Sequence, residues 1–135
     1  MFARVATLLL LTLTLGACSM SELLPNWMSD DVAGPEPPSF RSLIAIKIRE
    51  IVGDPSSVGT IEISTPTRVN GLKGASWMVC LKAQNRFLLP PRYYAVFFQR
   101  AQIADSRLSV LIDQCELQTY TPFDWAAEAG APAPH

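Results

Sequence analysis

The sequence predicts an α+β fold: one N-terminal amphipathic helix packed on a small three- to four-stranded antiparallel sheet. Three observations lead there. One stretch, residues 40–52 (FRSLIAIKIREIV), repeats its apolar residues at helical spacing, with Phe40, Leu43, Ile44, Ile48 and Ile51 on one stripe. Later stretches at 58–64, 76–83 and 92–100, with a fourth at 102–110, alternate or run apolar and are rich in β-formers. The chain is short, at 135 residues with 49% apolar and 17% charged residues, which suits one small domain and leaves no room for two of ordinary size.

The elements follow in order. Ser39 stands where a helix N-cap is needed, and Gly53-Asp54-Pro55 ends the periodic stretch, with Gly at the C′ position and Pro unable to continue the hydrogen bonding. Asn70-Gly71, Lys73-Gly74 and Pro90-Pro91 are turn or loop signals between the strands. Tyr93-Tyr94-Ala95-Val96-Phe97-Phe98 is apolar on both strand faces, as a central strand is when the helix covers one side and loops or a partner cover the other. Tyr120, Phe123 and Trp125 are expected to cap the core. Residues 39–125 are thus the predicted domain, and 126–135 (AAEAGAPAPH) lack the side chains for a core and read as a disordered tail.

Ahead of the domain, residues 18–38 carry Pro25, Pro35, Pro37 and Pro38 and read as an extended tether. Leu23, Leu24, Trp27 and Met28 are unusually apolar for a spacer. They suit docking on the domain, resting in a membrane interface, or binding a partner. Before the tether come Arg4 and the apolar run of residues 5–15, then Leu15-Gly16-Ala17-Cys18. A bilayer-spanning helix needs about 20 apolar residues, so this run has the length of a secretory signal. The tetrad resembles the lipobox of bacterial lipoproteins. That resemblance implies that residues 1–17 are removed as a signal peptide and that Cys18 carries a covalent lipid, the only cofactor-like group expected. Ser19 rather than Asp after the Cys implies sorting to the outer membrane, facing the periplasm. Multiple acyl chains hold such a protein stably, since each buried methylene contributes about 0.8 kcal/mol.

A second resemblance covers about residues 43–98. A helix ending in Ile51-Val52-Gly53-Asp54-Pro55-Ser56, a strand with Val79-Cys80 and then Asn85 are similar to small uncharacterised bacterial lipoproteins with a helix–Asp-Pro-x-Ser segment followed by a Val-Cys strand. The chain departs from them at Arg86-Phe87-Leu88-Leu89, where a Gly/Tyr-rich stretch would follow. The resemblance implies an envelope location and a fold, and no reaction.

With Cys18 lipidated, Cys80 and Cys115 form an even pair in an oxidising compartment, and a structural disulfide is expected. Closing that loop would contribute about 4 kcal/mol on the chain-entropy account. Redox motifs space their cysteines two residues apart, whereas 34 residues lie between these two.

The only His is His135, at the end of the tail, so His-based metal sites and Ser-His or Cys-His catalysis have no partner, and no metal site is expected. Asp54, Glu62, Asp105, Asp113, Glu116 and Asp124 show no glycosidase or metal-loop spacing, and the seven glycines make no phosphate loop. Removing residues 1–17 discards Arg4 alone among the charged residues and takes the net charge from −1 to −2, which argues against nucleic acid as a partner. Between Glu62 and Asp105 there is no acidic residue, while Arg68, Lys73, Lys82, Arg86, Arg92 and Arg100 fall there. This basic interval fits charged strand edges that block unwanted pairing, balanced by the acidic tether and tail, better than it fits an anionic partner surface, which is the other reading of these six residues. The expected function is a membrane-anchored, non-catalytic binding or structural accessory whose partner is an envelope protein or an anionic envelope polymer. A cell-wall-directed enzyme, or a regulator of one, is the alternative. The oligomeric state is left open.

Overall fold

A computed structural model describes residues 32–87 and 90–130 of the chain. The expected signal peptide at 1–17, Cys18 and most of the expected tether at 18–38 lie outside the described residues. The helix α1 spans Phe40–Val52, as its periodicity predicts, and buries Ile44, Ala45, Ile48 and Ile51. Ser39 contributes its backbone carbonyl, which accepts from Leu43 N–H at 3.0 Å, and its side chain makes no capping bond. Gly53 ends the helix at φ 81°, a conformation that costs glycine little, and its N–H donates to the Arg49 carbonyl. Asp54 then accepts from both the backbone N–H and the hydroxyl of Ser56, fixing a 3-10 turn at Pro55–Ser57. Those two bonds, the hydroxyl first, hold the exposed Asp54 carboxyl below its ordinary range.

The sheet corrects the expectation of three to four strands: it is antiparallel and has six. They are β1 (Val58–Ser64), β2 (Thr67–Gly71), β3 (Gly74–Asn85), β4 (Arg92–Gln99), β5 (Gln102–Leu108) and β6 (Tyr120–Pro122). The order across the sheet is β5-β4-β3-β1-β6, and β2 pairs with β3 off that path. The two strands missing from the prediction lack an apolar signature. Only Val69 of β2 is even half-buried, and its Asn70-Gly71, read as a turn, pairs with Ala75 and Gly74. β6 is three residues long and ends in a proline at the sheet edge. Backbone pairing along β3, rather than side-chain burial, makes β2 a strand.

The twelve-residue β3 explains the topology. Its first half, to Met78, pairs with β2, and from Leu81 onward its second half pairs with β1 on the same side. Between them the edge is broken at Thr65-Pro66, and there the buried Ser64 hydroxyl takes the place of a strand carbonyl, accepting from Cys80 N–H at 2.9 Å. That hydroxyl in turn donates to the Thr65 carbonyl.

Helix α1 covers one face of the sheet, packing on Ile61, Ile63, Val79, Leu81, Tyr94, Val96 and Phe98, with Phe123 closing the core. The other face holds a smaller cluster of Met78, Cys80, Ala95 and Cys115, bordered by the half-buried Val69, Tyr93, Phe97 and Tyr120. β4 is thus covered by α1 on one side and, at Ala95, by the Cys115 segment on the other, while its Phe97 stays half-buried.

Ala33 and Pro37, in the stretch read as tether, are buried. The stretch read as a disordered tail from residue 126 is described as far as Gly130. Trp125–Ala129 forms a short helix, α2, capped by the Asp124 carboxylate on Ala127 N–H. Its Glu128 takes both Nε and Nη2 of Arg41 on α1, at 2.7 and 2.6 Å. Alanines that build no core still form a helix when an ion pair and a cap hold it in place.

Replacing Ser64 leaves the buried Cys80 N–H without a partner. The Ser64→Ala variant is expected to lose about 1–3 kcal/mol of stability in urea unfolding, against little change for the exposed Ser57→Ala. An unchanged midpoint would contradict the role given to Ser64.

Candidate functional site

Beyond β5 the chain crosses the sheet face opposite α1 in two 3-10 turns, Leu111–Asp113 and Cys115–Leu117, joined by Gln114 at φ 54°. Cys80 and Cys115 are joined by a disulfide, with a Cα–Cα separation of 5.6 Å. Three further groups fix this segment. The nearly buried Asp113 carboxylate receives both Nη atoms of Arg107, each at 2.7 Å, and also Val110 N–H at 2.9 Å. The Tyr120 hydroxyl donates to the Cys115 carbonyl at 2.6 Å. The Ser109 N–H donates to the Tyr93 carbonyl at 2.9 Å. Burial above all, and then the nearby Tyr93 and Glu62, push the Tyr120 hydroxyl well above its ordinary value of 10.0.

The segment covers only part of that face. Between it and the β2–β3 hairpin lies a groove of about 460 Å³. Val69, Met78 and Phe97 are among its lining residues, with Leu72 and Ile112 at its sides and Lys73, Asp105 and Arg107 among its polar groups. Arg107 stacks its guanidinium 5.0 Å from the Phe97 ring centre while holding Asp113, so one side chain braces both the strand and the turn. Gln99 Nε2 donates to the carbonyls of Lys73 and Ala75, tying the hairpin to β4. Of the eight exposed large apolar side chains among the described residues, Leu72 and Ile112 line the groove. A second, more open depression of about 630 Å³ lies between Pro55, Glu62, Gln84 and Trp125.

The basic residues singled out in the sequence are dispersed. Strand parity puts Arg68, over the Trp77 ring at 5.6 Å, on the α1 side. Lys82, over the Tyr120 ring at 5.9 Å, falls on the disulfide side. Lys82 pairs with Glu62 at 2.8 Å, which raises its pKa, and Lys73 lies 3.7 Å from Asp105. Arg86 follows β3, Arg92 begins β4, and Arg100 occupies the β4–β5 turn at φ 52°, donating its N–H to the Ala33 carbonyl. Of these six, Lys73 alone lines the groove.

Five of the six carboxylates have structural partners as well: Glu62 with Lys82, Asp105 with Lys73, Asp113 with Arg107, and Asp54 and Asp124 as caps, while Glu116 is exposed in the turn Cys115–Leu117. Among the described residues, no three His, Cys, Asp or Glu side chains are grouped to hold a metal ion. Leu72, Arg107 and Ile112 escape the sequence reading. The available signal is the apolar run at 108–112 next to a cysteine, too long in apolar residues for an ordinary loop.

Compared with known protein families, curated proteins and solved structures, the chain matches none.

Because the neutral Tyr120 hydroxyl is favoured in the folded protein, its contribution is full below about pH 10 and falls as pH rises beyond it. Tyr120→Phe is expected to cost about 1 kcal/mol at neutral pH through the lost bond to Cys115. The gap from the unchanged protein should then narrow above pH 10 in urea titrations. A gap independent of pH would contradict this.

Proposed function

We propose that the chain is a lipid-anchored protein of the bacterial cell envelope, held through Cys18 to the outer membrane on its periplasmic side, whose domain is a non-catalytic binding accessory. The anchor rests on Arg4, the apolar run at 5–15 and Leu15-Gly16-Ala17-Cys18. The fourteen residues from Cys18 to Asp31 reach about 45–50 Å when extended, enough to hold the domain clear of the lipid headgroups.

The observation that carries the binding role is the apolar groove beside the disulfide. Its volume of about 460 Å³ is that of a ligand site, and its sides are pinned by a covalent bond and a bidentate ion pair. Apolar lining with a few polar groups at the rim suits the large side chains of a protein segment. Loss of fixed geometry costs affinity, so a stapled groove suits an accessory that binds without rearranging.

Two measurements test this reading. The Cys18→Ser chain should leave the membrane fraction and appear soluble; continued membrane association with unaltered processing contradicts the anchor. In producing cells, a photo-crosslinking amino acid at Ile112 should give a defined adduct with an envelope protein, identified by mass spectrometry. The same group at Ile46, exposed on α1 away from the groove, should not. Equal adducts from both positions contradict the groove.

A further inference from the structure

Resting on the groove as a binding site, we infer that the chain carries its own occupant for it: the segment at residues 23–28, with Leu23, Leu24, Trp27 and Met28, is a built-in competitor that a partner must displace. The segment lies outside the described residues, and the case for it comes from where the described chain begins. Val32 packs on Gly74, its Cγ1 3.4 Å from where a side chain on that glycine would start. Gly74 is itself a lining residue of the groove. Two bonds fix the chain at this place: the Ala33 carbonyl accepts from Arg100 N–H at 3.0 Å, and the Gly34 carbonyl accepts from the Trp77 indole at 3.1 Å. Val32, the first of the described residues, therefore sits at the rim of the groove.

Reach and chemistry then agree. An extended chain advances about 3.3–3.6 Å per residue, so Met28 and Trp27 come within about 14–18 Å of Val32, and Leu23 within about 30 Å. From β3 to β5 the sheet is roughly 10 Å wide, so both ends of the segment fall within range of the apolar sides at Leu72 and Ile112. Asp30 and Asp31, immediately before Val32 in sequence, carry charge opposite to that of the largely exposed Lys73 at the same rim. An amphiphilic spacer with four large apolar residues has a reason to carry them if they leave water in the groove a few residues away. A covalently linked occupant acts at an effective concentration in the millimolar range, so even weak docking keeps the groove filled until a tighter ligand arrives.

The test uses the full chain in detergent, with a benzophenone amino acid in place of Trp27, and irradiation followed by peptide mapping. Adducts within one chain to Leu72, Met78 or Ile112 are expected. Adducts elsewhere on the domain, or only between chains, overturn the inference. A second arm uses the dye 8-anilinonaphthalene-1-sulfonate on the otherwise unchanged chain. Its fluorescence should rise at least threefold in a Trp27→Ser/Met28→Ser variant, and adding Ile112→Asp, at a residue 84% exposed and outside the core, should abolish the rise. If the dye responds to Ile112→Asp but not to the paired serines, the built-in occupant falls and the groove stands. If it ignores Ile112→Asp in every background, the groove falls as a binding site and the inference with it.

Discussion

One helix can cover one face of a sheet, so the second face of β3 and β4 needs a cover of its own, and here a single covalent bond anchors it. Cys80 lies at the middle of the longest strand, and Cys115 is carried by two short 3-10 turns with almost no apolar burial to hold them down. Turns of this kind, with Leu111, Ile112 and Leu117 facing solvent, gain little from hydrophobic burial. A crosslink across 35 positions restricts the unfolded chain instead, by about 4 kcal/mol on the chain-entropy account. For a domain with so small a second core, that is a large share of its stability.

The polar contacts around the bond divide the work. Ser64 supplies the Cys80 amide with the acceptor that the break at Thr65-Pro66 removes. Tyr120 holds the Cys115 carbonyl, and Arg107 clamps Asp113 while stacking on Phe97. The cover therefore sits firmly over Cys80 and Ala95 and stops there. Toward the β2–β3 hairpin nothing on the described chain crosses the face, and Met78, Phe97 and Val69 become the lining of a groove. The groove is thus a consequence of a cover shorter than the face it covers.

Much of this was legible in residues whose signal is local. The 3.6-residue period of α1, its stop at Gly53-Asp54-Pro55 and the doubly apolar β4 all emerge from short-range pattern, and the structure has them at the expected places. The strand count failed because β2 and β6 are made by pairing partners far along the chain, not by their own side chains. The α2 helix was hidden for the same reason: Glu128 needs Arg41, 87 positions earlier, before an alanine-rich tail has grounds to fold. The site was less legible still. The basic interval from Arg68 to Arg100 is contiguous in sequence, but strand alternation sends Arg68 and Lys82 to opposite faces, and Lys73 alone of the six lines the groove. Leu72 and Ile112 come together only once the disulfide has brought its turn across the sheet.

On the function we propose, anchor, spacer and groove form one physical argument: a lipid on Cys18 would fix the chain, the residues after it would set the reach of the domain, and the stapled face would offer apolar surface to a protein segment. All of it depends on the disulfide holding the groove's side in place. Amide hydrogen exchange of the full chain, oxidised against reduced, tests that most directly. On reduction, residues 110–118 should exchange much faster while α1 and β1 keep their protection, because their core lies on the opposite face. Unchanged exchange at 110–118, or equal loss of protection throughout the domain, would contradict the claim that this one bond builds the groove.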